Sequence, residues 1–273
     1  MYKIKVRHEK AVTVDGLGIA DQVSGQGPAL VFCHAMASDH RMYDQHRDLF
    51  SSSHTFITFD HRGAGYSDHP LFDEGSTSAY TVEKFGDDLK AVLDELKIER
   101  ATILGFSMGV VAALSFSIRW PNRVERLILV SAMASRLPQP IIDRARLVEE
   151  LLDKQGVKAA YELYFSGALF DGITLNNEVV AQIESAREMA TPHGIKGCFR
   201  VTIDRPSLIS KLNVIQCPTL IMVGENDTHY LAEAERLVQA IPDARRVIMR
   251  GVGHPMSAQN PKSFEAEILA FVS

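Results

Sequence analysis

The chain has 273 residues, of which 46% are hydrophobic, and a formal net charge of −5 at pH 7. This apolar content allows a large core, and α/β chains of this length often form one domain. The acidic balance argues against binding to nucleic acid or to an anionic membrane. No apolar run approaches the roughly 18–20 residues that cross a bilayer. We therefore expect a cytoplasmic protein, monomeric or homodimeric, that acts on a small molecule.

The first residues and the cysteines agree with that expectation. Residues 1–8 carry positive charges but lack the apolar stretch of a secretory signal. The three cysteines are odd in number and widely spaced, so buried free thiols in a reducing cytoplasm are expected. The sequence shows no zinc-site spacing, Walker loop or dinucleotide-binding glycine loop. We expect neither a metal nor an organic cofactor.

Short apolar, β-branched runs alternate with helical patterns along most of the chain. Eight strands are predicted, at residues 2–7, 17–24, 28–33, 54–60, 100–105, 125–131, 217–223 and 245–250. Helices are predicted at residues 41–50, 81–97, 107–119, 231–240 and 260–272. This alternation is typical of a mostly parallel sheet with helices on both faces.

The alternation stops between residues 134 and 211, after the sixth predicted strand. Apolar residues recur there at helical spacing, first from Ile141 to Leu152 before Gly156, and again from Val179 to Met189. Two shorter helices are predicted, at residues 157–165 and 195–203. We therefore expect an all-helical insertion, residues 134–211, within a domain formed by residues 1–133 and 212–273.

The most informative motif is Gly-Phe-Ser-Met-Gly at residues 105–109. It follows a predicted buried strand and precedes a predicted helix. In that context G-x-S-x-G forms a nucleophile elbow, a sharp turn that exposes the serine hydroxyl at the edge of a sheet. Ser107 is therefore the predicted nucleophile, and it needs a base to take its proton.

A candidate acid and a candidate base follow later in the chain. Asp227 comes after the predicted strand at 217–223, and His254 comes after the predicted strand at 245–250. Because open α/β sheets gather their chemistry at the carboxyl ends of strands, we expect both side chains near Ser107. His254 would act as the base, and Asp227 would hold its tautomer and stabilise the imidazolium.

These motifs, in this order, resemble the α/β-hydrolase family over nearly the whole chain. Further similar stretches are Val-Phe-Cys-His-Ala-Met at 31–36, Asp-His-Arg-Gly-Ala-Gly-Tyr-Ser at 60–67 and Gly-Glu-Asn-Asp at 224–227. The resemblance implies the α/β-hydrolase fold: a mostly parallel eight-stranded sheet flanked by helices, with an all-helical cap after the sixth strand. It also implies an oxyanion hole formed by the backbone N–H groups of Met36 and Met108.

Two positions depart from the family pattern, because Ala35 and Val110 stand where the family often has glycine. Neither change removes a chemical group that the reaction needs. In the resembling stretches, Arg62 is expected to be tied to loop carboxylates or carbonyls, and His34 is expected to order the oxyanion turn.

A cap of this kind excludes water and shapes an apolar substrate pocket. The predicted pocket residues are Phe106, Tyr161, Tyr164, Phe165 and Phe199, with Phe170 and Met189 as further candidates. Four arginines of the insertion could pair with a substrate carboxylate, although charged cap residues usually face solvent. They are Arg144, Arg146, Arg187 and Arg200.

Together these features indicate a serine hydrolase that cleaves a small carboxylic ester or lactone through an acyl-enzyme. The chain most resembles the 3-oxoadipate enol-lactonase-like and small carboxylesterase branch. One alternative is a carbon–carbon bond hydrolase of ring-cleavage products, although such enzymes usually have a small polar residue where Phe106 stands. The other is a hydrolase-like receptor that binds a small ligand with little turnover.

Overall fold

The computed structural model describes residues 5–6, 10–73, 79–167, 169–170 and 173–273. This part of the chain contains ten strands. They are β1 (Lys5–Val6), β2 (Ala11–Val12), β3 (Gly18–Ile19), β4 (Asp21–Ser24), β5 (Ala29–Cys33), β6 (Thr55–Phe59), β7 (Ala101–Phe106), β8 (Val124–Val130), β9 (Thr219–Gly224) and β10 (Ala244–Met249).

Eight of these strands form one sheet, in the order β1-β4-β6-β5-β7-β8-β9-β10. The pairs β1–β4 and β4–β6 are antiparallel, and all the other pairs are parallel. The predicted mostly parallel, eight-stranded sheet is therefore confirmed. Because β5 to β10 run in the same direction, the loops after their carboxyl ends meet along one rim.

The helices lie between these strands in the chain. They are α1 (Arg47–Ser51), α2 (Val82–Glu95), α3 (Gly109–Arg119), α4 (Gln139–Gln155), α5 (Val157–Phe165), α6 (Asn177–Met189), α7 (Pro192–Ile203), α8 (Thr228–Ala240), α9 (Met256–Gln259) and α10 (Pro261–Val272). Short 3-10 helices occupy His40–His46, Pro121–Arg123 and Ile209–Val214. None of the helices described is long and apolar enough to cross a membrane.

Side-chain caps mark where several helices begin. The Thr81 hydroxyl accepts a hydrogen bond from the Lys84 N–H at the start of α2. Thr191 does the same for Gly194 at the start of α7, where Pro192 occupies the first helical position. Such caps satisfy amide groups that have no partner within the helix, and proline there has no N–H to satisfy.

Alternating strand residues build an apolar core on each face of the sheet. On one face, Ile103 of β7 belongs to the core that includes side chains of α2, α3 and α8. On the other face, Leu104 belongs to the core that includes side chains of α1 and α10. Neighbouring residues of a strand point to opposite faces, so this buried strand reads as a continuous apolar run.

Some element boundaries differ from those expected. The predicted strand at 17–24 is divided into β3 and β4, because β3 pairs with β2 in a separate two-stranded sheet closed by the turn at Gly16, where φ is 81°. Helix α8 begins at Thr228, earlier than predicted. The segment predicted as one helix at 41–50 is a 3-10 turn followed by α1. Residues 2–4 and 7 of the first predicted strand lie outside the described residues.

Helices α4 to α7 occupy the stretch between β8 and β9 in which no strand was expected. The two ends of this stretch are joined, because the Leu208 N–H donates to the Ala134 carbonyl at 2.8 Å. Oε1 of Glu233, on α8, accepts from the N–H groups of Ala134 and Ser135 at 2.9 and 2.7 Å. The helical insertion is thus tied to the sheet domain where it leaves β8.

The cysteines follow the sequence expectation in two of three cases. Cys33 and Cys198 are buried, whereas Cys217 is half-buried, and all three are free thiols. Burial raises the pKa of the Cys33 thiol and of the Cys198 thiol.

Candidate active site

Ser107 lies in the turn between β7 and α3, at the carboxyl edge of the sheet. Its φ is 52°, in the left-handed region that residues other than glycine rarely adopt. The Ser107 N–H donates to the Val130 carbonyl at the end of β8, at 3.0 Å. This bond holds the strained turn against the neighbouring strand, as expected for a side chain that must be presented in one direction.

The glycines on either side of this turn are required by close packing. A Cβ atom on Gly109 would lie 2.2 Å from the carbonyl oxygen of Cys33, and one on Gly105 would lie 2.8 Å from the Ala113 Cβ. Both distances are too short for non-bonded atoms, so a larger residue would push α3 away from the sheet. The G-x-S-x-G pattern therefore fits the observed strand–turn–helix geometry.

The structure brings Ser107, His254 and Asp227 into one hydrogen-bonded chain. His254 Nε2 lies 3.0 Å from Ser107 Oγ, and His254 Nδ1 lies 2.9 Å from Asp227 Oδ2. With the proton on Nδ1 donated to the carboxylate, Nε2 is the acceptor for the serine proton. His254 and Asp227 are 5% and 4% exposed, so water competes little for these bonds.

Ser131 holds the carboxylate of this chain and was not anticipated from the sequence. Its hydroxyl donates to Asp227 Oδ2 at 2.7 Å, and its φ of 43° is again left-handed. Ser131 directly follows β8, between the strands that precede Ser107 and Asp227 in the sheet order. The feature of the sequence that could have indicated its role is its position at the end of a strand that reaches the same rim.

The two residues predicted to form an oxyanion hole, Met36 and Met108, both border the cavity at Ser107. Neither N–H donates to a hydrogen bond within the described residues. An N–H group without a partner can donate a hydrogen bond to a carbonyl oxygen on which negative charge develops.

The turn that carries Met36 is held by His34. His34 Nδ1 lies 2.8 Å from the Ala35 carbonyl, and its Nε2 accepts from the His61 N–H at 3.0 Å. The left-handed residue of the turn is Ala37, with φ of 56°, so Ala35 does not need the conformation that would favour glycine.

Two cavities meet at Ser107. The first has a volume of about 110 Å³ and includes Met108, Tyr164 and Phe199 in its wall. The second, of about 70 Å³, is lined by Phe106, Tyr164, Phe165 and Phe170 among others, and it also contacts His254. Both walls are mostly apolar, and Tyr164 lines both cavities.

One expected pocket residue lies elsewhere. Tyr161 borders neither cavity at Ser107 but lines a separate space of about 30 Å³ behind Met36 and Met108. Tyr161 and Tyr164 both lie on α5 and both line this space, but of the two only Tyr164 also lines the cavities at Ser107. Met189 borders none of these three cavities; its sulfur lies 3.6 Å from the Arg41 guanidinium.

Tyr230 is a further residue at the site that sequence reasoning missed. It lines the first cavity, and its ring centroid lies 4.8 Å from that of His254. Burial raises the pKa of the Tyr230 phenol. Tyr230 lies in the first turn of α8, three residues after Asp227. The helix was predicted to begin only at residue 231, so Tyr230 was not expected at the site.

Three of the four arginines considered as carboxylate partners are paired within the protein. Arg146 and Arg200 both contact Glu149 and Asp204, and Arg187 contacts Glu184. Arg144 differs, because it lines the first cavity.

Asp39, His40 and Asp60 are the group of potential metal ligands found among the described residues, with donor atoms within 4.8 Å of one another. Asp60 Oδ1 already lies 2.7 Å from both the backbone nitrogen and Nδ1 of His40, and Oδ2 accepts from the Tyr66 N–H. Asp39 is bonded to Arg41. These contacts tie neighbouring loops together and account for the cluster.

Arg62 is held as the sequence suggested. Its Nε and Nη2 donate to the two carboxylate oxygens of Asp88 at 2.8 and 2.6 Å, and Nη1 donates to the Ala79 carbonyl and to Asp15. The Arg62 side chain is fully buried, so these bonds serve the packing of the loop beneath the site.

Comparison with known proteins agrees with this architecture. A family model described as the alpha/beta hydrolase fold matches residues 28–261. A protein provisionally named carbamate hydrolase RutD, from Caulobacter sp., is 27% identical, over 96% of this chain and 97% of the relative. The 3-oxoadipate enol-lactonase 2 of Acinetobacter baylyi is 25% identical, over 89% of this chain and 88% of the relative. An esterase structure from Exiguobacterium antarcticum aligns with a TM-score of 0.86 at 22% identity, over 97% of this chain and 99% of that chain.

Proposed function

Because the chain belongs to the alpha/beta hydrolase family, we propose that it is a serine hydrolase that cleaves a small carboxylic ester or lactone through an acyl-enzyme. The observation that carries the proposal is the continuous hydrogen-bonded chain from Ser107 through His254 to Asp227. The enol-lactonase relative supports the lactone or ester class.

In the first half of the proposed reaction, Ser107 Oγ attacks the substrate carbonyl carbon while its proton passes to His254 Nε2. The carbonyl oxygen becomes an oxyanion next to the N–H groups of Met36 and Met108. Collapse of this intermediate breaks the ester bond, and the leaving alkoxide takes the proton from His254. Removing one such oxyanion donor costs about 3–4 kcal/mol in a measured protease case.

In the second half, a water molecule gives a proton to His254 Nε2 and attacks the acyl carbon. Collapse of the second intermediate releases the carboxylic acid, and the proton on His254 returns to Ser107 Oγ. Asp227 keeps Nδ1 protonated in both halves, so the imidazole always presents Nε2 to the reacting atoms.

We also propose that residues 134–211 act as a cap over a core domain formed by residues 1–133 and 212–273. The contribution of Tyr164 and Phe199 to the cavity walls supports this division. The two cavities on either side of Ser107 would then receive the acyl and alcohol parts of the substrate. A mostly apolar pocket with few polar groups is the usual form of a small-molecule site.

The test is the change Ser107→Ala, measured with 4-nitrophenyl acetate. Removing the nucleophile should lower turnover by about 10⁴- to 10⁶-fold, since the members of such a triad act as a unit. The matched control is Ser117→Ala on α3, which deletes a buried hydroxyl bonded to the Ala113 carbonyl and should leave turnover almost unchanged.

Covalent labelling with a phosphonate ester is the second test of the same residue. A phosphonate ester should add one covalent group to Ser107, detected by mass spectrometry of the peptides. Unlabelled, inactive wild-type protein would instead favour a receptor that binds ligand without turnover. A folded Ser107→Ala protein that retains a tenth or more of wild-type turnover would exclude Ser107 as the nucleophile.

A further inference from the structure

Arg144, on α4, lines the larger cavity at Ser107. It is the only arginine or lysine among the described residues of that wall. Most of the other lining side chains are apolar, including Leu137, Ile141, Val148 and Ile203. A guanidinium in such a wall is unusual, because charged side chains are seldom placed in apolar surroundings without a partner.

The guanidinium is held in place by neutral groups of the described residues. Nη2 of Arg144 donates to the Leu163 carbonyl and the Ser166 hydroxyl. Nε is buried and has no hydrogen-bond partner within the described part of the chain. Within the described residues, no carboxylate lies within ion-pair distance of Arg144, whereas Arg146, Arg187 and Arg200 of the same insertion all have one.

Gly167 creates the space that Arg144 occupies. A Cβ atom at position 167 would lie 2.3 Å from Arg144 Nε and 3.0 Å from its Cζ. Any larger residue there would displace the guanidinium from its present position. Held by two neutral acceptors and packed against a glycine, the Arg144 guanidinium has no carboxylate partner among the residues that the structure describes.

We propose that Arg144 binds a carboxylate of the substrate. The substrate class is then an ester or lactone that carries a second, free carboxylate, such as a monoester of a dicarboxylic acid. Arginine suits this role because its planar fork can donate two parallel hydrogen bonds to a carboxylate. The proposal rests on the proposed hydrolase function, since it describes the substrate of that same site.

The test compares substrates that differ only in this charge. One series consists of the 4-nitrophenyl monoesters of glutaric, adipic and pimelic acids, which carry the carboxylate on the acyl side. A second series consists of the acetate esters of ω-hydroxy acids, which carry it on the alcohol side. Each acid is compared with its carboxamide, which has nearly the same shape but no charge.

For the wild-type protein, kcat/KM should favour the carboxylate over the carboxamide by about 10- to 100-fold in one series, the usual effect of a hydrogen bond to a charged group. The preference should be greatest at one chain length, because Arg144 and Ser107 are both fixed in the cavity wall. The preference should arise chiefly from a lower KM for the carboxylate than for the carboxamide. Arg144→Gln should abolish it, so that the ratio of kcat/KM for the carboxylate to that for the carboxamide falls to about one.

Arg146→Gln is the matched control, because it removes the same charge from the same helix at a residue already paired with Glu149. It should preserve the preference. Arg144→Lys should keep only part of it, because an ammonium lacks the fork. Gly167→Ala should weaken it by displacing Nε. A wild-type protein with no preference in either series, or a preference that survives in Arg144→Gln, would overturn the proposal.

A binding measurement separates this inference from the proposed function. Calorimetry with glutarate, adipate and pimelate on the Ser107→Ala protein requires no turnover. If one of these dicarboxylates binds and Arg144→Gln weakens its binding at least tenfold, Arg144 is a carboxylate site even if no ester is hydrolysed. If esters are hydrolysed but no dicarboxylate binding depends on Arg144, the hydrolase function stands and the carboxylate site is rejected.

Discussion

At the scale of single residues, the candidate site depends on two serines whose backbone conformations are strained. Ser107 and Ser131 both have left-handed backbones, at the ends of adjacent strands. Such a conformation costs of order 1–3 kcal/mol, and it persists only where the surroundings fix it. Here the hydroxyl of one serine contacts His254, and the hydroxyl of the other contacts Asp227. Both strained residues therefore serve the same hydrogen-bonded chain.

We expect Ser131 to act as a positioning residue for Asp227. Ser131→Ala removes the 2.7 Å bond to Oδ2 and should lower kcat for 4-nitrophenyl acetate by about tenfold, with little change in KM. Ser131→Gly is the matched control, because glycine accepts the left-handed backbone without strain but also lacks the hydroxyl. Both variants should lose activity to a similar degree. Full activity in the glycine variant would show that the hydroxyl does not matter.

At the scale of secondary-structure elements, helix α5 places two tyrosines in different environments. Tyr164 contributes to both cavities at Ser107, whereas Tyr161 faces the smaller space behind the methionines. Tyr161 is 7% exposed, so its ring is mainly part of the packing between helices. The two residues share one helix and one chemistry, and they allow pocket effects to be separated from packing effects.

Tyr164→Ala should change the ranking of ester substrates by acyl-chain length. Trimming a side chain that lines both apolar cavities enlarges the space for bulkier groups. Differences of this kind are worth about 1–3 kcal/mol, or roughly 10- to 200-fold in relative kcat/KM. Tyr161→Ala should instead reduce the free energy of unfolding, by about 3–5 kcal/mol if it behaves as other buried aromatic residues do. It should keep the wild-type ranking. The ranking is measured as kcat/KM over a C2 to C8 ester series, and the free energy of unfolding is measured in urea. An unchanged ranking in the Tyr164 variant would show that other residues select the acyl chain.

The central strands of the main sheet could be predicted because buried parallel strands are short, apolar and bounded by turn residues, as in β7 and β9. Ser107, Asp227 and His254 could be predicted because each follows such a strand. The orientation of α5 could not, because helical spacing leaves open which side of a helix faces which neighbour. Tyr230 was missed for a related reason: its place at the site depends on where α8 begins.

At the scale of the whole molecule, buried ion pairs join loops that are distant in the chain. His40, at the start of a 3-10 helix, bonds to Asp60 after β6. Burial lowers the pKa of His40, but the hydrogen bond and charge of Asp60 outweigh it, so the pKa is raised. The protonated imidazole is thus favoured in the folded protein. Its stabilising contribution is fully present below the unfolded histidine pKa of about 6.5 and is lost as pH rises through the raised value.

We therefore expect the cost of His40→Ala to depend on pH. At pH 6 the change leaves Asp60 buried without its partner and should reduce the free energy of unfolding by about 3–5 kcal/mol. At pH 9 the cost should be clearly smaller. His54→Ala is a control of opposite sign, since burial lowers the pKa of His54 and its neutral form is favoured on folding. Denaturant unfolding at both pH values measures the difference; an equal cost at pH 6 and pH 9 for His40→Ala would contradict the assignment.

The hydrogen bond between Leu208 and Ala134 also bears on how a protein of this architecture can diversify. Since the intervening segment departs and returns at adjacent points, it can be lengthened, shortened or exchanged without changing the distance that the sheet must bridge. The reacting groups reside almost entirely outside that segment, and much of the cavity wall resides within it. If the proposed function holds, substrate preference and bond-breaking chemistry are encoded in separable stretches of the sequence, and variation can alter the first while the second is preserved.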